Sequence, residues 1–248
     1  MFPYKDDNPT ELTPYITVAV IALNVLAWVV LQGMGAPALL AHSVCRLGLI
    51  PGELLRTVPP HTVVPLGPGL ACTTTAHPAY ATVFTSMFMH GGWFHLIGNM
   101  WFLWIYGNNV EDAMGPGRFV VFYLLCGLVA AATQVAASPG SAIPMIGASG
   151  AISGVLGAYL VLFPRVRVHT LIFLGVFVTT IALPAYLMLL YWFLLQLLGG
   201  LPSLAGMQGG GGVAFFAHIG GFVAGAALIR IFLREDFRVR IPRAPPGA

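Results

Sequence analysis

Charge is scarce in this sequence. Asp, Glu, Lys and Arg together make up only 8% of the 248 residues, against about 25% in an ordinary soluble domain, so water is not the solvent for this surface. The few basic residues form no patch, which speaks against a nucleic-acid partner. A polar stretch of linker character is missing too, and a single bundle follows. Cysteine is limited to Cys45, Cys72 and Cys126. They show no C-x-x-C spacing, which excludes the usual thiolate metal sites. Cys126 lies in an apolar run, whereas Cys45 and Cys72 share one loop and can pair if that loop faces an oxidising compartment. The first twelve residues carry three acids against one Lys, so the basic leader of a cleaved signal peptide is lacking and the first apolar span is expected to stay attached.

What the chain has instead is apolar length, with 58% hydrophobic residues and a mean hydropathy of +0.86. A membrane-crossing helix needs about 20 apolar residues. Six segments qualify or nearly do: Tyr15 to Gln32, Met87 to Tyr106, Phe119 to Ala137, the short Ser149 to Phe163, Pro184 to Leu198, and Val213 to Leu233. Pro184 interrupts a longer apolar run, so Leu171 to Leu183 reads as an interfacial or half-inserted lead-in. Most Lys and Arg residues fall at the start, in the second-to-third and fourth-to-fifth connections, and in the tail. The positive-inside rule makes that side cytoplasmic. The expected architecture is an all-α, six-transmembrane-helix bundle with cytoplasmic termini. Its parts are an N-terminal segment 1–14, a membrane domain 15–233 and a basic, Pro-rich tail 234–248.

Polar groups inside a membrane are costly and tend to be functional. The second span opens with His90, His95 and Asn99, the fourth with Gly147-Ala148-Ser149-Gly150, and the sixth contains Ala217-His218-Ile219-Gly220-Gly221. All sit near the external ends of their helices. Three helices thereby deliver a hydroxyl, an imidazole and an amide-plus-imidazole pair to one depth, an inventory for acyl transfer. Ser149 becomes a nucleophile when His218 takes its proton. Asn99, His95 and the first-turn N–H groups at Ser149 and Gly150 can receive the oxyanion. Ser149, Ser153 and Gly157 form one small-residue stripe, and His218, Gly221 and Gly225 another, which predicts close packing of the fourth and sixth spans. His90 reads as a structural residue pinning the first loop. All eight acids lie outside the expected spans, so a Ser–His dyad is expected, with packing or a backbone carbonyl orienting the base. His42, His61, His77 and His169 have no converging partners in the sequence, and Asn24 and Gln134 read as interhelical hydrogen-bonding groups.

From about Ala81 to Leu233 the chain resembles the rhomboid family of intramembrane serine proteases. The resemblance rests on Ser86-Met87-Phe88-Met89-His90-Gly91-Gly92-Trp93-Phe94-His95 with Asn99, on Tyr106-Gly107 and Glu111, on Gly147-Ala148-Ser149-Gly150, and on Ala217-His218-Ile219-Gly220-Gly221 with Gly225. It implies a six-helix fold, Ser149 as nucleophile, His218 as base, oxyanion-hole side chains at Asn99 and His95, and no cofactor or metal. It also implies single-span or polytopic membrane-protein substrates, met in the lipid bilayer and admitted past the fifth span. The expected location is a bacterial inner membrane, with the site opening externally. Two positions depart from the pattern. Relatives often carry an aromatic residue where this chain has Ser153, and a Trp-Arg pair where it has Ala81-Thr82.

Other classes stay open at this stage. A transporter would show an internal repeat and ionisable residues along a path through both leaflets. A non-catalytic client-binding relative would typically lack the Ser or the His. A His-based metal hydrolase is disfavoured by the spacing of five between His90 and His95, which is poor for helical chelation.

Overall fold

The computed structural model describes residues 2–67, 70–174, 177–204 and 213–237. Most of the expected tail, residues 238–248, and part of the Gly-rich connection before the last helix, residues 205–212, lie outside the described residues. The chain is mostly helical. In order it forms β1 (Phe2–Asp6), α1 (Tyr15–Val30), α2 (Pro37–Leu47), α3 (Pro51–Leu54), β2 (Val63–Gly67), β3 (Leu70–Thr73) and α4 (Thr82–Thr85). It continues with α5 (Trp93–Met114), α6 (Pro116–Ala137), α7 (Ser149–Leu162), β4 (Arg167–Leu174), β5 (Phe177–Pro184), α8 (Ala185–Leu204) and α9 (Phe215–Phe232). Among the described residues, α6, α8 and α9 are long and apolar enough to cross a membrane, while α1 and α7 are shorter apolar helices.

Two expectations are corrected by these elements. The second apolar segment becomes helical at Trp93 rather than Met87 and runs on to Met114. Glu111 and Asp112 therefore lie inside a helix and are buried. Each carboxylate is used. Glu111 accepts from the Ile16 and Thr17 N–H groups at 2.9 and 2.7 Å and from the Thr17 hydroxyl, satisfying first-turn donors of α1. Asp112 accepts from the Glu11 and Leu12 N–H groups. The second correction concerns the lead-in before Pro184. It is a β-hairpin, β4 with β5, to which β1 adds as a third strand in the order β1-β4-β5. The fold is thus not purely α-helical. His169, read as an unpartnered loop residue, lies on β4 with its Nε2 2.8 Å from Asp7. Asn24 turns back to the Val20 carbonyl of its own helix, while Gln134 accepts the Ala217 N–H across the α6–α9 interface.

The helix ends follow from local chemistry. Gly115 takes a φ of +80°, outside the range an L side chain favours, and closes α5 by donating to the Glu111 carbonyl at 2.7 Å. Pro116 then opens α6, where its missing N–H leaves no bond unmade. At the centre is α7, buried continuously from Gly150 to Tyr159. Its contact with α9 is made backbone to backbone. A Cβ placed on Gly221 would stand 2.0 Å from the Gly150 carbonyl oxygen, one on Gly225 would stand 1.9 Å from that of Gly154, and one on Gly157 would stand 2.1 Å from that of Phe222. The seam on α7 therefore runs through Gly150, Gly154 and Gly157, with Ser153 beside Gly221, instead of through Ser149, Ser153 and Gly157 alone.

Two outcomes follow. Gly225→Val is expected to lower the thermal midpoint of the purified protein in detergent sharply, whereas Ala227→Val, on the exposed side of α9, is expected to leave it within a few degrees. Equal midpoints for the two variants would contradict the seam. The second outcome concerns pH. Asp6 accepts from the Tyr159 hydroxyl at 2.5 Å, and burial pushes its carboxyl up to about 6 from an ordinary 3.8. The native state thus holds a proton that the unfolded chain has released, so this contribution is full below pH 3.8 and is lost as pH rises through about 6. Asp6→Asn is expected to flatten the fall in stability across that window, measured by thermal unfolding at a series of pH values; an unchanged slope would refute the assignment.

Candidate active site

Ser149 is the first residue of α7, and the turn that delivers it is shaped by Gly147. That residue has a φ of +121°, its N–H donates to the Ser86 carbonyl at 2.9 Å, and a Cβ there would stand 2.8 Å from His95 Nε2 and 3.5 Å from Ser149 Oγ. Backbone conformation and space both require glycine here. The first N–H groups of α7 have no partner within their own helix. The Ser153 hydroxyl, one turn on, donates to the Ser149 carbonyl at 2.6 Å and stays within its own helix.

His218 lies in the first turn of α9, and the α7–α9 seam brings its Nε2 to 2.7 Å from Ser149 Oγ. Its other ring nitrogen, Nδ1, is 2.8 Å from the side-chain oxygen of Gln196 on α8. The Trp192 ring, one turn earlier on α8, lies 5.9 Å from the imidazole, centroid to centroid, at 37°. The contact that the sequence reading sought in packing or a backbone carbonyl is thus made by a side-chain amide and an indole, both from α8. Gln196 was passed over in the sequence. The available signal was an amide in the apolar run Leu194-Leu195-Gln196-Leu197-Leu198, a placement that is costly without a purpose.

Asn99 and His95 lie one turn apart on α5. The Asn99 side-chain nitrogen is buried and, among the described residues, has no acceptor. His95 Nδ1 accepts the Gly91 N–H at 3.2 Å, so the neutral ring carries its proton on Nε2, the nitrogen next to Gly147. An imidazole N–H thus stands at the Gly147 turn that precedes Ser149, and the Asn99 amide lies one turn further along α5. His90 does not reach the Ser149 hydroxyl; the fully buried His90 ring packs edge-on against His95 with centroids 5.1 Å apart. Among the described residues, no group of three or more His, Cys, Asp or Glu is placed to hold a metal.

The support behind these residues was only partly visible in the sequence. Gln32, at the end of α1, forms a reciprocal pair with the His90 backbone, donating to its carbonyl at 2.7 Å and accepting its N–H at 2.8 Å. The first loop, which lacks the Trp-Arg pair, is tied down in other ways. A Cys45–Cys72 disulfide fastens the β2–β3 hairpin to α2. The Thr85 hydroxyl donates to the Leu47 carbonyl, and Leu49 exchanges backbone hydrogen bonds with Met145 on the approach to Ser149.

Comparison with known proteins identifies the family. The rhomboid domain family model matches residues 77–235, well over half of the chain, and the chain belongs to the rhomboid family. It is 33% identical over 112 residues to the presenilin-associated rhomboid-like protein, mitochondrial, of Mus musculus, covering 43% of this chain and 29% of that protein. It is 42% identical over 76 residues to the rhomboid protease GluP of Bacillus subtilis, covering 31% and 14%. To the rhomboid-like protein 11, chloroplastic, of Arabidopsis thaliana, it is 36% identical over 77 residues, covering 31% and 27%. The matched region is less than a third of the length of each of these relatives. The chain is an integral membrane protein of this family.

Gln32→Leu is expected to leave the buried His90 N–H and C=O unpaired, at about 1 to 3 kcal/mol for each group. A clear fall in the thermal midpoint of the purified protein is the expected result, and a midpoint equal to wild type would show that the pair does not anchor the loop.

Proposed function

We propose that the protein is an intramembrane serine endopeptidase that cleaves transmembrane helices of membrane-protein substrates near their external ends. The observation that carries the reading is the 2.7 Å contact between Ser149 Oγ and His218 Nε2, made between two helices whose backbones touch, with the His95 N–H at the adjoining Gly147 turn; the buried Asn99 amide, one turn beyond His95 on α5 and without an acceptor among the described residues, supports it. In the proposed reaction His218 Nε2 takes the hydroxyl proton as Ser149 Oγ bonds to the scissile carbonyl carbon. The resulting oxyanion is received by Asn99, His95 and the N–H groups at Ser149 and Gly150. The protonated His218 then gives its proton to the leaving nitrogen as the C–N bond breaks. Water, deprotonated by the same ring, attacks the acyl-enzyme, and the proton returns to Ser149 as the acid product leaves. The chemistry calls on no cofactor.

The membrane arrangement belongs to the same proposal. Helices α1, α5, α6, α7, α8 and α9 are the six spans of a catalytic membrane domain covering 15–233, with the N-terminal segment and the tail from 234 on the cytoplasmic side. The Lys and Arg distribution supports that orientation. A disulfide between Cys45 and Cys72 fits a first loop in an oxidising, external compartment. The bacterial inner membrane is the proposed location. Substrate helices enter past α8 and unwind locally, because a helical backbone keeps its carbonyls in hydrogen bonds.

The test is cleavage of a model transmembrane substrate by purified protein. Ser149→Ala and His218→Ala are each expected to abolish turnover, and Asn99→Ala to lower it about 10²- to 10³-fold. Asn108→Ala, toward the other end of α5, serves as the control and is expected to be near wild type. Full turnover by Ser149→Ala protein would refute the reading, and equal losses at Asn99 and Asn108 would remove Asn99 from the site.

A further inference from the structure

We propose that Gln196 is the positioning residue of the base, fixing the His218 tautomer that can accept the Ser149 proton. The proposal rests on the protease reading. The side-chain nitrogen of Gln196 donates to the Trp192 carbonyl one turn back, at 3.3 Å. With the nitrogen so engaged, it is the oxygen that faces His218 Nδ1, at 2.8 Å. An oxygen can only accept, so Nδ1 carries the ring proton and Nε2 presents its lone pair to Ser149. In the Ser-His-Asp arrangement a buried carboxylate does this work. Here a neutral amide does it, and among the described residues no carboxylate is bonded to His218.

The surroundings of His218 favour this division of labour. Ser149 approaches from α7, and the neighbouring titratable ring is His95 of α5. Trp192 and Phe193 of α8 pack on Phe222 of α9, with centroids 6.0 and 4.5 Å apart, holding the Gln196 turn against the His218 turn. Trp192 also covers the imidazole, the task that relatives with an aromatic at the Ser153 position assign to the nucleophile's own helix. Both orienting contacts therefore come from α8, four residues apart on one face. The base is set only while α8 is seated on α9.

The experiment compares Gln196→Leu and Gln196→Glu with wild type in detergent, measuring kcat and KM on a transmembrane substrate, the rate of fluorophosphonate labelling of Ser149, both across pH, and the thermal midpoint. Gln196→Leu removes the acceptor at similar volume. It is expected to lower kcat and the labelling rate together, about 10- to 10²-fold, with little change in KM, because the wrong tautomer becomes available. Gln196→Glu keeps the acceptor and is expected to restore most of both rates. Its acidic limb should move to higher pH, since an anion beside the ring favours the protonated form, which cannot act as base. If both variants match wild type in rate and pH profile, or if Glu is as impaired as Leu, Gln196 does not position the base. A loss confined to the thermal midpoint would likewise reduce it to a packing residue. A wild-type protein that neither cleaves substrate nor takes up the probe would overturn the protease reading and this assignment with it.

Discussion

The candidate site depends on the contact of two bare backbones. Ser149 and His218 are far apart in the chain, and their 2.7 Å approach requires α7 and α9 to come nearer than ordinary side chains allow. Glycine makes that possible at Gly221 and Gly225, each of whose missing Cβ atoms would fall 2.0 Å or less from a carbonyl oxygen of α7. In a membrane no hydrophobic drive presses helices together, so close packing itself must hold the seam. The same seam places Gln196 and Trp192 over the imidazole, because α8 docks on α9 through aromatic stacking at Phe222.

A second constraint is the satisfaction of polar groups away from water. Glu111 and Asp112 would be costly in a helix packed among apolar neighbours, yet each accepts backbone N–H groups at or before the start of α1, and so fixes where the first helix begins relative to α5. Gln32 performs the matching task at the other end of α1, holding the backbone of His90 just ahead of His95. Carboxylates at one end and an amide at the other thus fasten α1 to the helix that bears Asn99. Among the described residues the buried Asn99 amide has no acceptor.

Much of this was legible in the sequence, for identifiable reasons. Polar residues are so rare in the apolar segments that Ser149, His218, Asn99 and His95 stood out, and the glycines beside them marked close contacts. The helices α1, α6, α7 and α9 begin and end within about three residues of the apolar segments. Other features were hidden. The hairpin of β4 and β5 reads as a broken span, because a continuous apolar run does not distinguish buried helix from strand, although Val168, Thr170, Ile172, Val178, Thr179, Thr180 and Ile181 supplied a β-branched signal. Gln196 could not be assigned until the crossing of α8 and α9 was known, since an amide turned to another face would have served only its own helix. Glu111 was assigned to a connection because the helix was ended where apolarity faded, while its partners on α1 carry it further.

The central claim is that one hydroxyl in this chain is made nucleophilic by its neighbour on α9. The direct measurement is mass-spectrometric mapping of the purified protein after reaction with a fluorophosphonate in detergent, for wild type and His218→Ala. The account predicts a single phosphonylated peptide, containing Ser149, in the wild type and none in the variant. Modification spread over several serines, or equal labelling of Ser149 without the imidazole, would contradict it.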